Sequence, residues 1–384
     1  VRAALYYLAC WTVIAVVAPR NTVTWAAVLL VAVASTVPLV VFVVRGGWRA
    51  YPTAAFRLFV VRPVLYTQLL LPLVAGAGLV GVVAGAPFGA ALPVGRLTAA
   101  ATIIAMGLLF SVGYIGSGWL VVRQVVATLP ELPSAWDGVR IAQISDLHVG
   151  PHTSRRFLGR VTDTIAAIRP DVIAITGDLV DDRAEDVAHF AAAISRLDAP
   201  LGVYLIPGNH DVYAGWADVA HRLQASLPEA TLLVNDARIL TRDGSRLAIA
   251  GTGDPAGRRS SEGVAPDLDR TLERVPAGTA TVALAHNPSL WPALAERGVG
   301  LTLSGHTHWG QFALPGLGWS LASPFLARAM GAHVEGDALL YINPGTGYWG
   351  LPFRIGANPE ITVVTLRCGR RAAIRAGRAT AAAA

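Results

Sequence analysis

The sequence predicts an α/β fold of two sheets packed together with helices outside, preceded by an all-α transmembrane region of about four helices. Three observations carry this expectation. Residues 1–130 contain no Asp or Glu, and their uncharged stretches are long enough to span a bilayer. From residue 138 short β-type runs alternate with segments of helical period. Toward the C-terminus the helical segments thin out while strands continue, which favours two sheets over one doubly wound sheet.

The N-terminal region comes first. The chain of 384 residues is 53% hydrophobic, with a mean hydropathy of +0.50, too apolar for an ordinary soluble enzyme. The uncharged stretches are Ala3–Pro19, Asn21–Val44, Pro63–Gly95 and Leu97–Val122. The first is the shortest, and Val17-Ala-Pro-Arg20 is a poor cleavage site for a signal peptide. The third exceeds one span, which puts its exit loop at Pro87–Pro93. Arg45, Arg49, Arg57 and Arg62 lie between the second and third spans, against single arginines at Arg20 and Arg96. By the positive-inside rule that loop, both termini and the C-terminal domain are cytoplasmic, at a multi-pass cell membrane. Gly81 and Gly85 make a GxxxG spacing, read as incidental because Gly is common in such spans.

All 31 basic residues are Arg, as coding bias in a GC-rich genome produces. Eight lie in 1–130, so the net charge of +6 belongs to that part. Residues 131–366 carry 18 Arg against 25 acidic groups, which argues against a nucleic-acid groove. Two cysteines, Cys10 and Cys368, exclude a disulfide framework and a CxxC metal site.

The remaining elements follow in order. Residues 1–124 are assigned to the membrane region, and 125–138, with Pro130 and Pro133, to a linker. The domain at 139–366 has strands at Val139–Ile144, Val172–Thr176, Val203–Ile206, Arg246–Ala250, Thr281–Ala285, Val299–Leu303, Ala338–Ile342 and Ile361–Leu366. Helices are expected at Ser154–Ile168, Glu185–Leu197 and Gly215–Leu227. Phe312–Met330 is apolar for a loop, read as a packed lid or as an acyl-chain or membrane-contacting surface. The basic, Ala-rich tail, 367–384, is expected to be solvated and disordered, with contact to an anionic leaflet as a second reading.

Five strands end in residues suited to metals. Asp146-Leu-His148, Gly177-Asp178, Gly208-Asn209-His210-Asp211, His286 and Gly305-His306-Thr307-His308 each follow a short apolar run. On an extended segment residues i and i+2 point the same way, so Asp146 and His148 can reach one ion together. His306 and His308 can do the same or divide between two ions. A carboxylate such as Asp178 can bridge two cations, and Asn209 adds a neutral oxygen. The mixed O/N set suits Mn²⁺, Fe²⁺ or Zn²⁺. Each fragment alone is weak, but the ordered set is strong.

Over about 139–366 these motifs resemble the calcineurin-like metallophosphoesterase superfamily. The resemblance implies a four-layer αββα sandwich holding two divalent metal ions, with Mn²⁺ favoured. Asp146, His148 and His308 would bind one ion and Asn209, His286 and His306 the other. Asp178 would bridge them. His210, with Asp211 behind it, would be catalytic near the leaving group. Gly310-Gln311 and Asn343-Pro-Gly-Thr-Gly347 through Pro359-Glu360 resemble the membrane-associated bacterial branch of that family. That branch often has Gly where this chain has Trp309, an aromatic expected to narrow the pocket or stack on a substrate.

The expected function is a membrane-anchored dinuclear-metal phosphohydrolase. It is read as a phosphodiesterase acting by in-line attack of a metal-bridging hydroxide, on a lipid-linked or nucleotide-type phosphodiester. The expected partners are that substrate and membrane lipids, not nucleic acid. The alternatives are a non-catalytic membrane sensor with a vestigial domain, which metal-dependent turnover would exclude, and a nuclease, which salt-dependent DNA binding would revive.

Overall fold

The computed structural model describes residues 2–44, 54–56, 59–60 and 62–382. Arg45, Arg49 and Arg57, three of the four arginines used to read orientation, lie outside them, as do tail residues 383–384. The chain forms two compact units, Val1–Val112 and Gly113–Ala384.

The N-terminal region is helical. Among the described residues its long helices cover Arg2–Val17, Thr22–Val44, Arg62–Gly85 and Ala91–Ser117. Among the described residues, Arg62–Phe88 and Ala91–Ser117 are long and apolar enough to cross a membrane, whereas Leu5–Val17 and Thr22–Val37 are apolar but shorter. Two expectations change. Arg96 lies inside the last helix, not in a loop, and its Nε donates to the Val17 carbonyl at 3.0 Å. An otherwise unpaired helix-end carbonyl thus gains a cationic partner. The GxxxG glycines are contact positions. A Cβ on Gly85 would lie 2.6 Å from the Ala90 carbonyl oxygen, and one on Gly81 2.9 Å from Gly95 Cα. Their missing side chains let two helix backbones approach.

The second unit is an αββα sandwich. Its first sheet contains β1 (Val121–Leu129), β2 (Arg140–Ile144), β3 (Val172–Thr176), β4 (Val203–Ile206), β5 (Thr231–Leu232), β14 (Glu360–Cys368) and β15 (Ala373–Ala381), in the order β15-β1-β14-β2-β3-β4-β5. The second contains β6 (Asp236–Arg242), β7 (Ser245–Gly251), β8 (Ala280–Leu284), β9 (Leu301–Ser304), β12 (Gly331–Glu335) and β13 (Ala338–Ile342), in the order β12-β13-β9-β8-β7-β6. Both sheets mix parallel and antiparallel pairs.

Alternation assigns the faces. Ile141, Val172 and Ile206 pack between the sheets with Leu247, Val282 and Leu301. Ala142, Ile173 and Ile175 point the other way, against Leu158, Val161 and Ile165 of the helix Arg155–Ile168. The outer face of the second sheet meets Leu290 and Leu294 through Ala283. Because both faces of the parallel strands are covered, they read as continuous apolar runs.

The sequence reading missed the rim of the first sheet. Residues 125–129, assigned to the linker, belong to β1. The fourth apolar stretch stops being helix at Ser117, and its last valines, Val121 and Val122, open this strand. Cys368 and 373–381, assigned to the tail, lie in β14 and β15. β1 runs parallel to β14, with Val121 opposite Glu360 and Leu129 opposite Cys368, and β15 closes its other side antiparallel. An edge strand is held by main-chain pairing and by few buried side chains, and arginines blunt its open side.

The packed-lid expectation for Phe312–Met330 is also corrected. A small hairpin, β10 (Ala313–Leu314) with β11 (Trp319–Ser320), stands there. Leu317 and Phe325 are 78% and 84% exposed.

Candidate metal centre

The site lies at the ends of five parallel strands. Asp146 and His148 follow β2, Asp178 follows β3, and Asn209, His210 and Asp211 follow β4 in the first sheet. His286 follows β8, and His306 and His308 follow β9 in the second. The sandwich therefore brings all of these sequence-singled residues to one region.

The backbone there is unusual. Asp146, His148, Asp178, His306 and His308 all have φ between 44° and 70°, a left-handed conformation that non-glycine residues rarely adopt. Asp146 and His148 are thus not on an extended segment, and turns rather than alternation bring them together. Five such residues in one site mark stored strain that the surrounding hydrogen bonds must hold in place. Gly177 (φ 86°) and Gly208 make room for this: a Cβ on Gly177 would lie 2.6 Å from His286 Nδ1, and one on Gly208 would strike Asp178.

The side chains converge in two groups. In the first, His148 Nε2 lies 3.0 Å from His308 Nε2, and His308 Nε2 lies 3.3 Å from Asp146 Oδ1. In the second, Asn209 Oδ1 lies 2.7 Å from His306 Nδ1 and 3.2 Å from His286 Nε2. Asp178 joins them: its Oδ2 is 3.5 Å from His148 Nε2 and 3.2 Å from His286 Nε2. Asp146, His148, Asp178 and His286 are buried. Carboxylate and imidazole atoms this close, aimed at each other with so few protons to share, fit divalent cations between them.

Hydrogen bonds orient the rings. His286 Nδ1 donates to the Thr176 carbonyl at 2.8 Å, which turns Nε2 toward Asp178. Arg354 Nη2 donates to His308 Nδ1 at 2.9 Å. In the neutral ring that leaves the proton on Nε2.

Electrostatics separates the histidines. Burial opposes charge on His148, but Asp181 and Asp178 outweigh it and raise its pKa. Burial likewise opposes charge on His286, yet Asp178 raises it well above the usual value. The Asp178 carboxyl, pushed up by burial, is held well below the usual carboxylate range by His286 and His148. Burial and His286 bring His306 down to about 4. Burial and Arg354 bring His308 well below the usual range.

Two residues that sequence reasoning missed complete the frame. Asp181 Oδ1 lies 3.5 Å from His148 Nδ1, and the Asp181 main-chain oxygen accepts from His210 Nδ1 at 2.5 Å. Burial opposes its charge, but the His148 hydrogen bond brings its pKa down to about 2. Its signal was a carboxylate three residues beyond Asp178. Arg354 is buried and donates to the carbonyls of Pro344, Gly347, His308 and Ala357. Its signal was one charge inside the otherwise uncharged 338–359.

Asp211 does not stand behind His210 as expected. Its carboxylate accepts from the amides of Leu179, Val180 and Gly208, and so pins the turns that carry Asp178 and Asn209. Burial and nearby Asp178 raise its pKa to about 7 against those donors. Trp309 does not narrow a pocket. It is 3% exposed, its Nε1 donates to the Ile342 carbonyl, and its φ of 50° is one that Gly adopts more easily. The Asn343–Gly347 loop braces the first group: Thr346 N donates to Ser145 O and Gly347 N to Asp146 O. Glu360 closes it from behind, accepting from Tyr341 and Arg123 at 2.6 Å each.

Comparison with known proteins agrees with this geometry. Residues 139–310 match the model of the calcineurin-like phosphoesterases. The uncharacterized metallophosphoesterase YkuE of Bacillus subtilis (strain 168) is 33% identical over 241 residues, 62% of this chain and 82% of that one. This chain belongs to the calcineurin-like metallophosphoesterases. A metallophosphoesterase is metal-dependent, and the buried His/Asp cluster is where a dinuclear site would form. A zebrafish (Danio rerio) transmembrane protein with a metallophosphoesterase domain is 32% identical over 256 residues, 64% of this chain. The metallophosphoesterase described here spans 57% of that relative's length. Among solved structures, the Thermus thermophilus sulfate thiohydrolase SoxB aligns with a TM-score of 0.38 at 17% identity, covering 62% of this chain and 57% of that one.

Proposed function

We propose that this protein is a membrane-tethered two-metal phosphodiesterase acting on a lipid-linked phosphodiester. The observation that carries the two-metal reading is the Asp178 carboxylate, whose Oδ2 faces His148 in one group and His286 in the other. Asp146, His148 and His308 would hold one cation and Asn209, His286 and His306 the other, with Asp178 available to both. Such cations supply Lewis acidity and an activated water for in-line attack at phosphorus.

The protein's own groups do the rest. His210 Nδ1 donates to the Asp181 carbonyl, with the Asp181 carboxylate at 3.7 Å. The ring is thereby oriented through Nδ1, and Nε2 would pass a proton to the departing oxygen. Asp181 positions both His148 and His210. Among the described residues the one arginine contacting the cluster, Arg354, is committed to carbonyls and His308 beneath it. That favours a diester with one negative charge over a dianionic monoester, which needs more cationic donors. The rim by His210 is aromatic, with Trp349 at 6.1 Å and Tyr213 at 5.6 Å between ring centroids. Apolar helices and an aromatic rim support a lipid-linked substrate and a cell-membrane location, the loop arginines support a cytoplasmic catalytic unit, and the mixed O/N donor set suits Mn²⁺.

The test is turnover by the purified full chain, stripped of metal and reloaded. Mn²⁺ should restore hydrolysis of bis(p-nitrophenyl) phosphate in preference to p-nitrophenyl phosphate. A reloaded protein with two bound ions that cleaves neither ester refutes the catalytic reading, and preference for the monoester refutes the diester reading.

A further inference from the structure

The exposed apolar side chains of Gly113–Ala384 are not scattered. Of thirteen large ones among the described residues, six fall within Leu314–Leu326 and three within Tyr114–Trp119. Single exposed apolar residues are ordinary, but a cluster of this density marks an interaction surface. The chain carries no Asp, Glu or Arg from Gln311 to Ala327, and none from Leu97 to Val122.

The two segments are joined through one short stretch. Arg354 N donates to the Gly113 carbonyl at 2.8 Å, and the Phe353 ring packs where Gly113 lacks a side chain. The next residue, Ile355, donates to the Gln311 carbonyl at 3.0 Å and accepts from Ala313 N at 2.8 Å. The foot of the β10–β11 hairpin is therefore tied to the last turns of an apolar helix long enough to cross a membrane. The exposed rings of Tyr114, Trp119 and Trp319 are of the kind that settle at the headgroup level. The same foot reaches the site: Gln311 accepts from Trp349 N at 3.0 Å and donates to its carbonyl at 3.1 Å, and Trp349 edges His210.

We propose that the Leu314–Leu326 hairpin is a second membrane anchor, whose Leu317 and Phe325 enter the bilayer that the helix Ala91–Ser117 crosses. The occupant of this surface is phospholipid, because the hairpin's foot is joined through Arg354 and Ile355 to the end of that apolar helix. Seated in this way, the His210 side of the site opens at the level of lipid headgroups. The seating itself depends on the apolar surface and not on the phosphoesterase chemistry, so it can fail while the enzyme reading stands.

The experiment uses the full chain with Cys10→Ala and Cys368→Ala, reconstituted in vesicles of phosphatidylethanolamine and phosphatidylglycerol. Leu317→Cys, Phe325→Cys and, as a control, exposed Gln224→Cys are each labelled with an environment-sensitive fluorophore. Labels at 317 and 325 should be quenched by lipids with a nitroxide high on the acyl chain and shielded from aqueous iodide, and the label at 224 the reverse. Iodide quenching at 317 and 325 equal to that at 224 overturns the proposal. So does shielding that appears without nitroxide quenching and grows with protein density, which would assign the surface to a second copy of the chain.

Discussion

The guanidinium of Arg354 donates to Nδ1 of His308 across 2.9 Å, both side chains being buried. Burial brings its pKa down to about 9, so it remains a cation at neutral pH. It touches a proposed ligand on one side and the Asn343–Gly347 loop, through Pro344 and Gly347, on the other. Arg354→Lys keeps the charge and loses the fork of donors. Metal affinity should fall about 10–100-fold, the usual effect of losing an outer partner of a ligand. Equilibrium titration of the metal-free variant checks this, and unchanged affinity for both ions would show that the loop holds His308 unaided.

Asp178→Asn should remove most activity and lower metal content, because the amide lacks the negative charge that both groups use. Metal analysis beside turnover decides it. Near-normal activity with two ions bound would mean that Asp178 does not bridge.

His210→Ala should retain both ions while turnover slows by about 10²–10⁴, the usual contribution of a general acid. Esters with very good leaving groups should suffer less. Loss of metal in step with activity would make His210 a ligand, an arrangement that its 3.7 Å approach to Asp181 with His148 also permits.

Metal binding should strengthen as pH rises. In the metal-free protein His148 and His286 hold protons above their ordinary value, chiefly through Asp181 for the first and Asp178 for the second. A cation must displace those protons, so affinity should climb as pH passes through and above about 6.5. His306, at about 4, is already neutral and contributes no release there. Calorimetry in buffers of different ionisation enthalpy measures the protons released, and binding without proton release contradicts the assignment.

The catalytic unit should face the cytoplasm. A reporter joined after Ala384, beyond the strand that ends at Ala381, leaves β15 intact. Activity of a cytoplasm-only reporter is expected, and activity of its exterior-only counterpart would reverse the orientation.

The sandwich interior was legible because strands such as Val172–Thr176 are covered on both faces and read as unbroken apolar runs. The metal residues were legible because each directly follows such a run. Their positive φ was not, since only Gly advertises a left-handed turn, and Asp146 and His306 are held in it by a tertiary hydrogen bond from His306 N to the Asp146 carboxylate. β15 escaped for the opposite reason: Arg375 and Arg378 are exposed and the strand is held mainly by its backbone pairing, which composition does not record. Asp211 was singled out by its neighbour His210, yet a helical turn, Asn209–Tyr213, sends the two side chains to different partners.

The placement of β1 has a practical meaning for anyone who would cut this protein apart. The stretch that matches the family begins at residue 139, an inviting place to start a soluble fragment. Such a fragment would lose the strand that sits between β14 and β15. β14 would then present bare amides and carbonyls along nine residues, a template for sticking to other molecules. The leash to the helices is thus woven into the catalytic body, and a workable scissor point lies before Leu120, just ahead of the first strand.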